Sequence, residues 1–298
     1  MPSGFTLPSF AKINWDLHVL GKRPDGFHEL CTIFQTISLH DSLTFAPSDE
    51  LSFTCSDPAL PIDSSNLVVR AAEALRSEFG VTAGAAVHLD KRIPSPGGLG
   101  GGSSNAAVTL IGLSRLWGLD PDRERLGRIA SALGSDVPFF LFGGTAIGTG
   151  RGEVIEPVED KQEEYMVVVS PDVAVSTSEV FGLLNVPSLT SEASNRILRV
   201  CRSNAESVDL RGAALKNDLE PFVLDSYPEI ARVRQKLEEH GAILVMLSGS
   251  GASVYAVFDK EETRQATIKA LDHESTWRKF AVATISRAQY REALQLVF

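Results

Sequence analysis

One stretch of this chain is built to meet an anion. Pro94-Ser95-Pro96-Gly97-Gly98-Leu99-Gly100-Gly101-Gly102-Ser103-Ser104 places five of the chain's 24 glycines in six positions and then adds two hydroxyls. Glycine lets an anion approach the backbone without a Cβ in the way and tolerates positive φ. Upstream, Val87, Leu89 and Ile93 share one face of a segment that reads as a strand ending at Pro94. Downstream, Ala107, Leu110, Ile111, Leu113, Leu116 and Trp117 recur at helical spacing, with Gly118 as a stop. The order strand, glycine loop, helix start brings unpaired N–H groups and the positive end of a helix dipole to one place, which suits phosphate. Ser103 and Ser104 can cap the helix, donate to phosphate oxygens or face a Mg²⁺ ion. A flexible linker is the alternative, and linkers are not usually held so tightly between a strand and a helix. No lysine follows the glycines as a Walker A loop requires, and the dinucleotide spacing is not met.

Two charged residues lie far from that loop in sequence. Lys12 and Asn14 alternate with Ile13, Trp15, Leu17 and Val19, so both occupy the polar face of a strand, about 7 Å apart. Taken alone, Lys12 reads as a solvated strand face. Asp136 stands in Gly134-Ser135-Asp136-Val137-Pro138-Phe139-Phe140, a carboxylate among apolar neighbours just past a helix end. It reads equally as a cap for a short turn with proline at an early position.

The elements that must hold these groups follow from periodicity. Asp25-Gly26 marks a turn after the first strand, and 32–45 reads as one or two strands with a possible break at His40-Asp41-Ser42. Asn66 caps a helix whose stripe is Val68, Ala71, Ala72, Leu75 and Phe79, ended by Gly80. Gly143 to Pro157 reads as a hairpin around Gly150-Arg151-Gly152. The acidic run Glu159 to Glu164 reads as a solvated domain boundary, dividing 1–158 from 159–298. The second part reads as a strand over 165–170, a helix over 228–240, two strands about Ser248-Gly249-Ser250-Gly251-Ala252-Ser253, and a closing helix, strand (280–285) and helix.

Composition narrows the class. The chain has 298 residues, a net charge of −10 and 43% hydrophobic residues, as expected of a soluble globular protein. The negative balance argues against a general nucleic-acid binder while leaving room for a nucleotide. No apolar run is long enough for a membrane helix, and no signal peptide is visible at the start. Cys31, Cys55 and Cys201 show no metal spacing and read as small core residues suited to a reducing cytoplasm.

The glycine stretch resembles motif 2 of the GHMP kinases, the superfamily of galactokinase, homoserine kinase and mevalonate kinase, in a Gly-Leu-Gly-Gly-Gly-Ser-Ser form. Ser248 to Ser253 resembles motif 3. Ala11-Lys12-Ile13-Asn14 and Gly21-Lys22-Arg23-Pro24-Asp25-Gly26-Phe27-His28-Glu29-Leu30 resemble one branch, the 4-diphosphocytidyl-2-C-methyl-D-erythritol kinases, as do Gly134 to Phe140 and Lys216-Asn217-Asp218-Leu219-Glu220. The resemblance implies a two-domain α/β (α+β) fold, with an N-terminal domain like domain 2 of ribosomal protein S5, a ferredoxin-like C-terminal domain and a cleft between them. It implies ATP as co-substrate with Mg²⁺, a substrate carrying a cytidine diphosphate group, and a monomer or homodimer. Asp136 would be the catalytic base and Lys12 the cation at the γ-phosphate. Pro94 to Ser104 would hold the ATP phosphates, with Asn66 and Lys91 beside adenine. Asn14 would meet the substrate diphosphate or diol, Phe27 and His28 the cytosine, and Thr177 and Phe181 the same substrate. Phe181 reads equally as core. Departures from the family pattern are Phe27 for tyrosine, Pro96 for a smaller residue and Asn105 for aspartate. Two other readings stand beside this one: a different GHMP kinase, for homoserine or mevalonate, and a nucleotide-binding module without catalysis.

Overall fold

The computed structural model describes residues 4–184, 191–206 and 215–296. Its elements in chain order are β1 (Phe5–Lys22), β2 (His28–Ala46), β3 (Leu51–Cys55), α1 (Leu67–Phe79), β4 (Ala85–Asp90), α2 (Gly101–Leu116), α3 (Arg123–Leu133), a 3-10 turn (Pro138–Leu141), β5 (Thr145–Gly150) and β6 (Val154–Pro157). They continue with β7 (Met166–Pro171), α4 (Thr177–Leu183), α5 (Ser191–Glu206), α6 (Glu220–Ser226), α7 (Pro228–Glu239), β8 (Leu244–Leu247), β9 (Val254–Val257), α8 (Glu261–Ala270), β10 (Trp277–Val282) and α9 (Arg287–Ala293).

The first sheet is organised on β2. One edge pairs antiparallel with β1 over its whole length, and the other pairs with β5 near Leu30–Gln35 and with β4 near Ser42–Ala46. The break expected at His40-Asp41-Ser42 does not occur, and β2 is continuous for 19 residues. Asp41 is fully buried there, but its carboxylate is paired with Lys91 at 2.9 Å and accepts the Arg92 and Ile93 N–H groups. A carboxylate so engaged can sit inside a sheet. Shifts of register in β1 fall at Phe10/Ala11, Asn14/Asp16 and Val19/Gly21. Such bulges re-aim side chains near sites. Ala11, Ile13 and Trp15 enter the core, while Lys12, Asn14 and Leu17 face a cavity.

The helix after the glycine stretch begins earlier than its apolar spacing suggests. α2 starts at Gly101, its cap is Gly100 at φ 68°, and no side chain caps it. Ser103 and Ser104 therefore lie inside the first turn rather than ahead of it. Every residue from Ser104 to Ser114 is buried, because α1, β1, β2 and the 3-10 turn surround the helix.

The second sheet runs β10-β7-β9-β8, antiparallel throughout. Numbered from β7, that order is fourth, first, third, second, the ferredoxin-like arrangement. β10 spans 277–282 rather than the expected 280–285. The acidic run before β7 is not simply solvated: Asp160 accepts the N–H groups of Thr145 and Arg287. Apolar residues of both sheets meet in one cluster that includes Ile13, Trp15, Ile33, Met166, Tyr255 and Val282. Cys31 and Cys201 are buried as expected, but they are joined as a disulfide between β2 and α5, Cα atoms 6.4 Å apart. Cys55 is a free thiol. No helix among the described residues is long and apolar enough to cross a membrane.

Candidate active site

Lys12 is the centre of the site. Its ammonium donates to the Asn14 Oδ1 at 2.8 Å and to the Gly98 carbonyl at 2.8 Å, and lies 3.5 Å from Asp136 Oδ2. Its side chain is 4% exposed. Burying an ammonium costs on the order of several kcal/mol unless an anion and hydrogen bonds compensate. Burial lowers the Lys12 pKa below its ordinary value, and Asp136 opposes that shift. The solvated strand face expected from Lys12 alone is therefore not what forms. Asn14 is a neighbour on the same strand, but Gly98 and Asp136 come from two distant segments that only the fold brings to Lys12.

Asn14 is held in register by its neighbours. Its Nδ2 donates to Thr32 Oγ1 at 2.7 Å, and that hydroxyl donates to the Asp16 carbonyl at 2.6 Å. The chain of bonds leaves the Asn14 Oδ1 facing Lys12. Tyr255 of the second sheet donates its hydroxyl to the Asn14 carbonyl at 2.9 Å. Burial raises that phenol's pKa, so it stays a donor. Asp136 lies in the turn between α3 and the 3-10 turn. No side chain caps the 3-10 turn, and the Asp136 carboxylate faces Lys12 instead, with about a third of its surface (32%) exposed. The cap reading of Asp136 gives way for that reason.

The glycine loop packs against the second glycine turn. The Ser253 N–H donates to the Gly97 carbonyl and the Ser248 hydroxyl to the Gly98 carbonyl, at 3.2 and 3.0 Å. Gly98 has φ +70°, and a Cβ there would overlap the Ser248 carbonyl oxygen, so no other residue fits. Pro96, Gly98 and Gly100 line a cavity of about 780 Å³ together with Lys12, Asn14 and Asp136. Leu99 is buried in the core, and Ser104 accepts a hydrogen bond from Ser9, turned away from the cavity. Pro94, Ser95, Gly97, Gly101, Gly102 and Ser103 flank the lining residues without joining them.

The other end of the cavity is aromatic. The His28 and Phe181 rings stack with centroids 5.2 Å apart, and Phe27 is 54% exposed beneath the Arg151 guanidinium at 4.9 Å. Burial, with Lys22 nearby, lowers the His28 pKa, which favours a neutral ring able to donate and accept. Thr177 also lines the cavity, its hydroxyl 2.8 Å from that of Ser250. Asn66 and Lys91 are not brought to it. Asn66 caps α1 by accepting the Val68 N–H and donates to Pro61, and Lys91 lies behind the loop, paired with Asp41 and donating to Ile93.

Three lining residues carried no individual role in the sequence, Lys22, Thr32 and Arg151, while Gly249 and Ser250 belong to the turn that resembles motif 3. A basic residue between two glycines at a hairpin tip, Gly150-Arg151-Gly152, was the one signal available for Arg151. Among the described residues no three His, Cys, Asp or Glu side chains gather as a metal site.

The family described as GHMP kinases N terminal domain matches residues 66–144, and GHMP kinases C terminal matches 199–275. The 4-diphosphocytidyl-2-C-methyl-D-erythritol kinase of Salinibacter ruber is 41% identical over 264 residues, covering 88% of this chain and 92% of its own. That of Solibacter usitatus is 40% identical over 290 residues, covering 96% and 90%. A crystal structure of 4-(cytidine 5'-diphospho)-2C-methyl-D-erythritol kinase superposes with a TM-score of 0.76 at 31% identity, over 94% of this chain and 99% of that one. A homoserine kinase from Cytophaga hutchinsonii shares the fold at 19% identity and a TM-score of 0.70, covering 96% of each chain. With the Lys12, Asp136 and glycine-loop arrangement set in a two-domain GHMP kinase fold, and with identity near 40% along most of its length, the chain belongs to the 4-diphosphocytidyl-2-C-methyl-D-erythritol kinase family.

Proposed function

We propose that this protein transfers the γ-phosphoryl group of ATP to the 2-hydroxyl of 4-diphosphocytidyl-2-C-methyl-D-erythritol, a step toward isoprenoid precursors. The observation that carries this reading is the Lys12 ammonium, set between the Asp136 carboxylate and the Gly98 carbonyl at one end of a cavity whose other end is aromatic.

The acceptor is a tertiary alcohol, a crowded and weak nucleophile. Asp136 takes its proton as the hydroxyl oxygen bonds to the γ-phosphorus. The bond from that phosphorus to the bridging oxygen breaks, and ADP leaves. Lys12 holds the γ-phosphoryl oxygens and steadies the charge that develops on them. The backbone N–H groups at the start of α2, among Gly101, Gly102 and Ser103, meet the remaining phosphates. Asn66 and Lys91 mark the adenine side of the loop. Lys22, beside His28, and Arg151, over Phe27, line the cavity at its aromatic end and offset the diphosphate of the acceptor. Phe27 and Phe181 stack on cytosine while neutral His28 reads its edge and Thr177 meets the same substrate. Once covered by cytosine, a half-buried polar reader of this kind rejects acceptors that lack the base.

The Ser103 hydroxyl, in the first turn of α2, is a hard oxygen donor of the kind Mg²⁺ takes, and it would face an ion held by the ATP phosphates. When bound, the ion neutralises phosphate charge. Residues 1–158 carry the nucleotide loop and the proton acceptor in this reading, and residues 159–298 close the substrate side.

The test is ADP release from Mg-ATP with a panel of acceptors. Turnover is expected with the diphosphocytidyl substrate and not with homoserine or mevalonate. Turnover on either of those, with none on the cytidyl compound, would place the chain's activity in another branch.

A further inference from the structure

We propose that Asn217 is a positioning residue: it sets the second glycine turn against the phosphate loop and so fixes the place of the Lys12 ammonium. Its side chain is buried, 4% exposed, and lies outside the cavity. Three of the four hydrogen bonds its amide can make are spent on backbone. Nδ2 donates to the Leu247 carbonyl at 3.0 Å and to the Gly249 carbonyl at 2.7 Å, and Oδ1 accepts the Leu219 N–H at 3.0 Å. One amide therefore grips both the last residue of β8 and the second residue of the turn that follows.

The same segment is bonded to β1. The Leu17 N–H donates to the Lys216 carbonyl at 2.8 Å, the Asp218 N–H to the Leu17 carbonyl at 2.9 Å, and the Val19 N–H to Asp218 Oδ2 at 2.9 Å. Glu220 adds a third hold, accepting the Leu247 N–H at 2.9 Å. Residues 216–220 thus clasp the strand that carries Lys12 and Asn14 to the turn of the second sheet.

The turn delivers this constraint to the site. Ser248 and Lys12 donate to one carbonyl, that of Gly98. Gly249 lies so close that a Cβ on it would stand 3.1 Å from Lys12 Nζ and 3.2 Å from the Gly98 oxygen. There is no slack in which the turn can drift without moving the ammonium or the loop. Loss of a few tenths of an ångström in such a place is felt in the reaction geometry.

The effect on turnover rests on the function proposed above; the effect on the loop does not, so two readouts separate them. In Asn217→Ala, amide hydrogen exchange should quicken in peptides covering both 247–251 and 97–101, with exchange in α7 unchanged. Faster exchange confined to 247–251, or none, would overturn the proposal whether or not the protein turns over the cytidyl acceptor. In steady state, kcat should fall about 10- to 50-fold while KM for that acceptor stays within about 2-fold. The loss should be less than additive with Ser248→Ala, since both act through Gly98. The isosteric Asn217→Asp keeps the bond from Leu219 and loses both donations, and serves if the alanine variant does not fold. Its activity relative to wild type should rise as pH falls, because a protonated carboxyl regains one donor. A flat ratio across pH, or full additivity with Ser248→Ala, would reduce Asn217 to a structural pin.

Discussion

The two ends of the cavity are built on different principles. At the phosphate end, Lys12 and Asn14 are buried, Gly98 is half-buried, and the Lys12–Asn14 bond is fixed by the Asn14–Thr32 bond behind it. At the aromatic end, Phe27 is more than half exposed, and His28 and Phe181 stack on each other. Charge transfer needs groups in place beforehand, since reorganising them would raise the barrier. Recognition of a flat base needs only faces that can part and close on it. The phosphate end should therefore be brittle to substitution and the aromatic end tolerant.

The largest effect expected on that contrast comes from the brittle side. Lys12→Ala should lower kcat/KM by roughly 10²- to 10³-fold, the scale of a lost preorganised donor. The pH profile sharpens the point. Burial places the Lys12 pKa below the ordinary 10.5, so the charged form is lost as pH rises through that lowered value. The alkaline limb of kcat/KM for ATP should accordingly fall below pH 10.5 in wild type, and Lys12→Arg should move it upward. A limb unchanged by Lys12→Arg would remove Lys12 from the account of that profile.

A smaller effect is expected at the tolerant end. Phe27→Ala should raise KM for the cytidyl acceptor about 3- to 10-fold, with kcat nearly unchanged, in keeping with about 0.5–1.5 kcal/mol for an aromatic pair. A kcat loss as large as that of Lys12→Ala would erase the distinction between the ends.

Much of this was legible in the sequence. Alternation in Ile13, Trp15, Leu17 and Val19 marked β1, and Asn66 and Gly80 bounded α1 where they stand. The glycine stretch declared a loop running into a helix start by composition and by its neighbours. What was not legible depended on contacts between distant segments. Asp41 looked like a strand break because nothing nearby announces that Lys91 and two N–H groups will satisfy it. Cys31 and Cys201 are 170 residues apart, and only the docking of α5 on β2 joins them. Arg151 sat at a hairpin tip whose direction is set by the β5 and β6 pairing, not by its own neighbours. The start of α2 was misplaced because apolar spacing cannot register a first turn made of glycines.

The measurement closest to the central claim is ADP release from Mg-ATP with the diphosphocytidyl acceptor, for wild type and Asp136→Asn side by side. Asp136 faces Lys12 across 3.5 Å and caps nothing, so the account assigns it the acceptor's proton. Turnover that requires the cytidyl group and falls by roughly 10²-fold or more in the variant is the predicted result, the scale of lost acid–base catalysis. Wild-type turnover with the variant within a few-fold would contradict it and leave Asp136 as a partner of Lys12 alone.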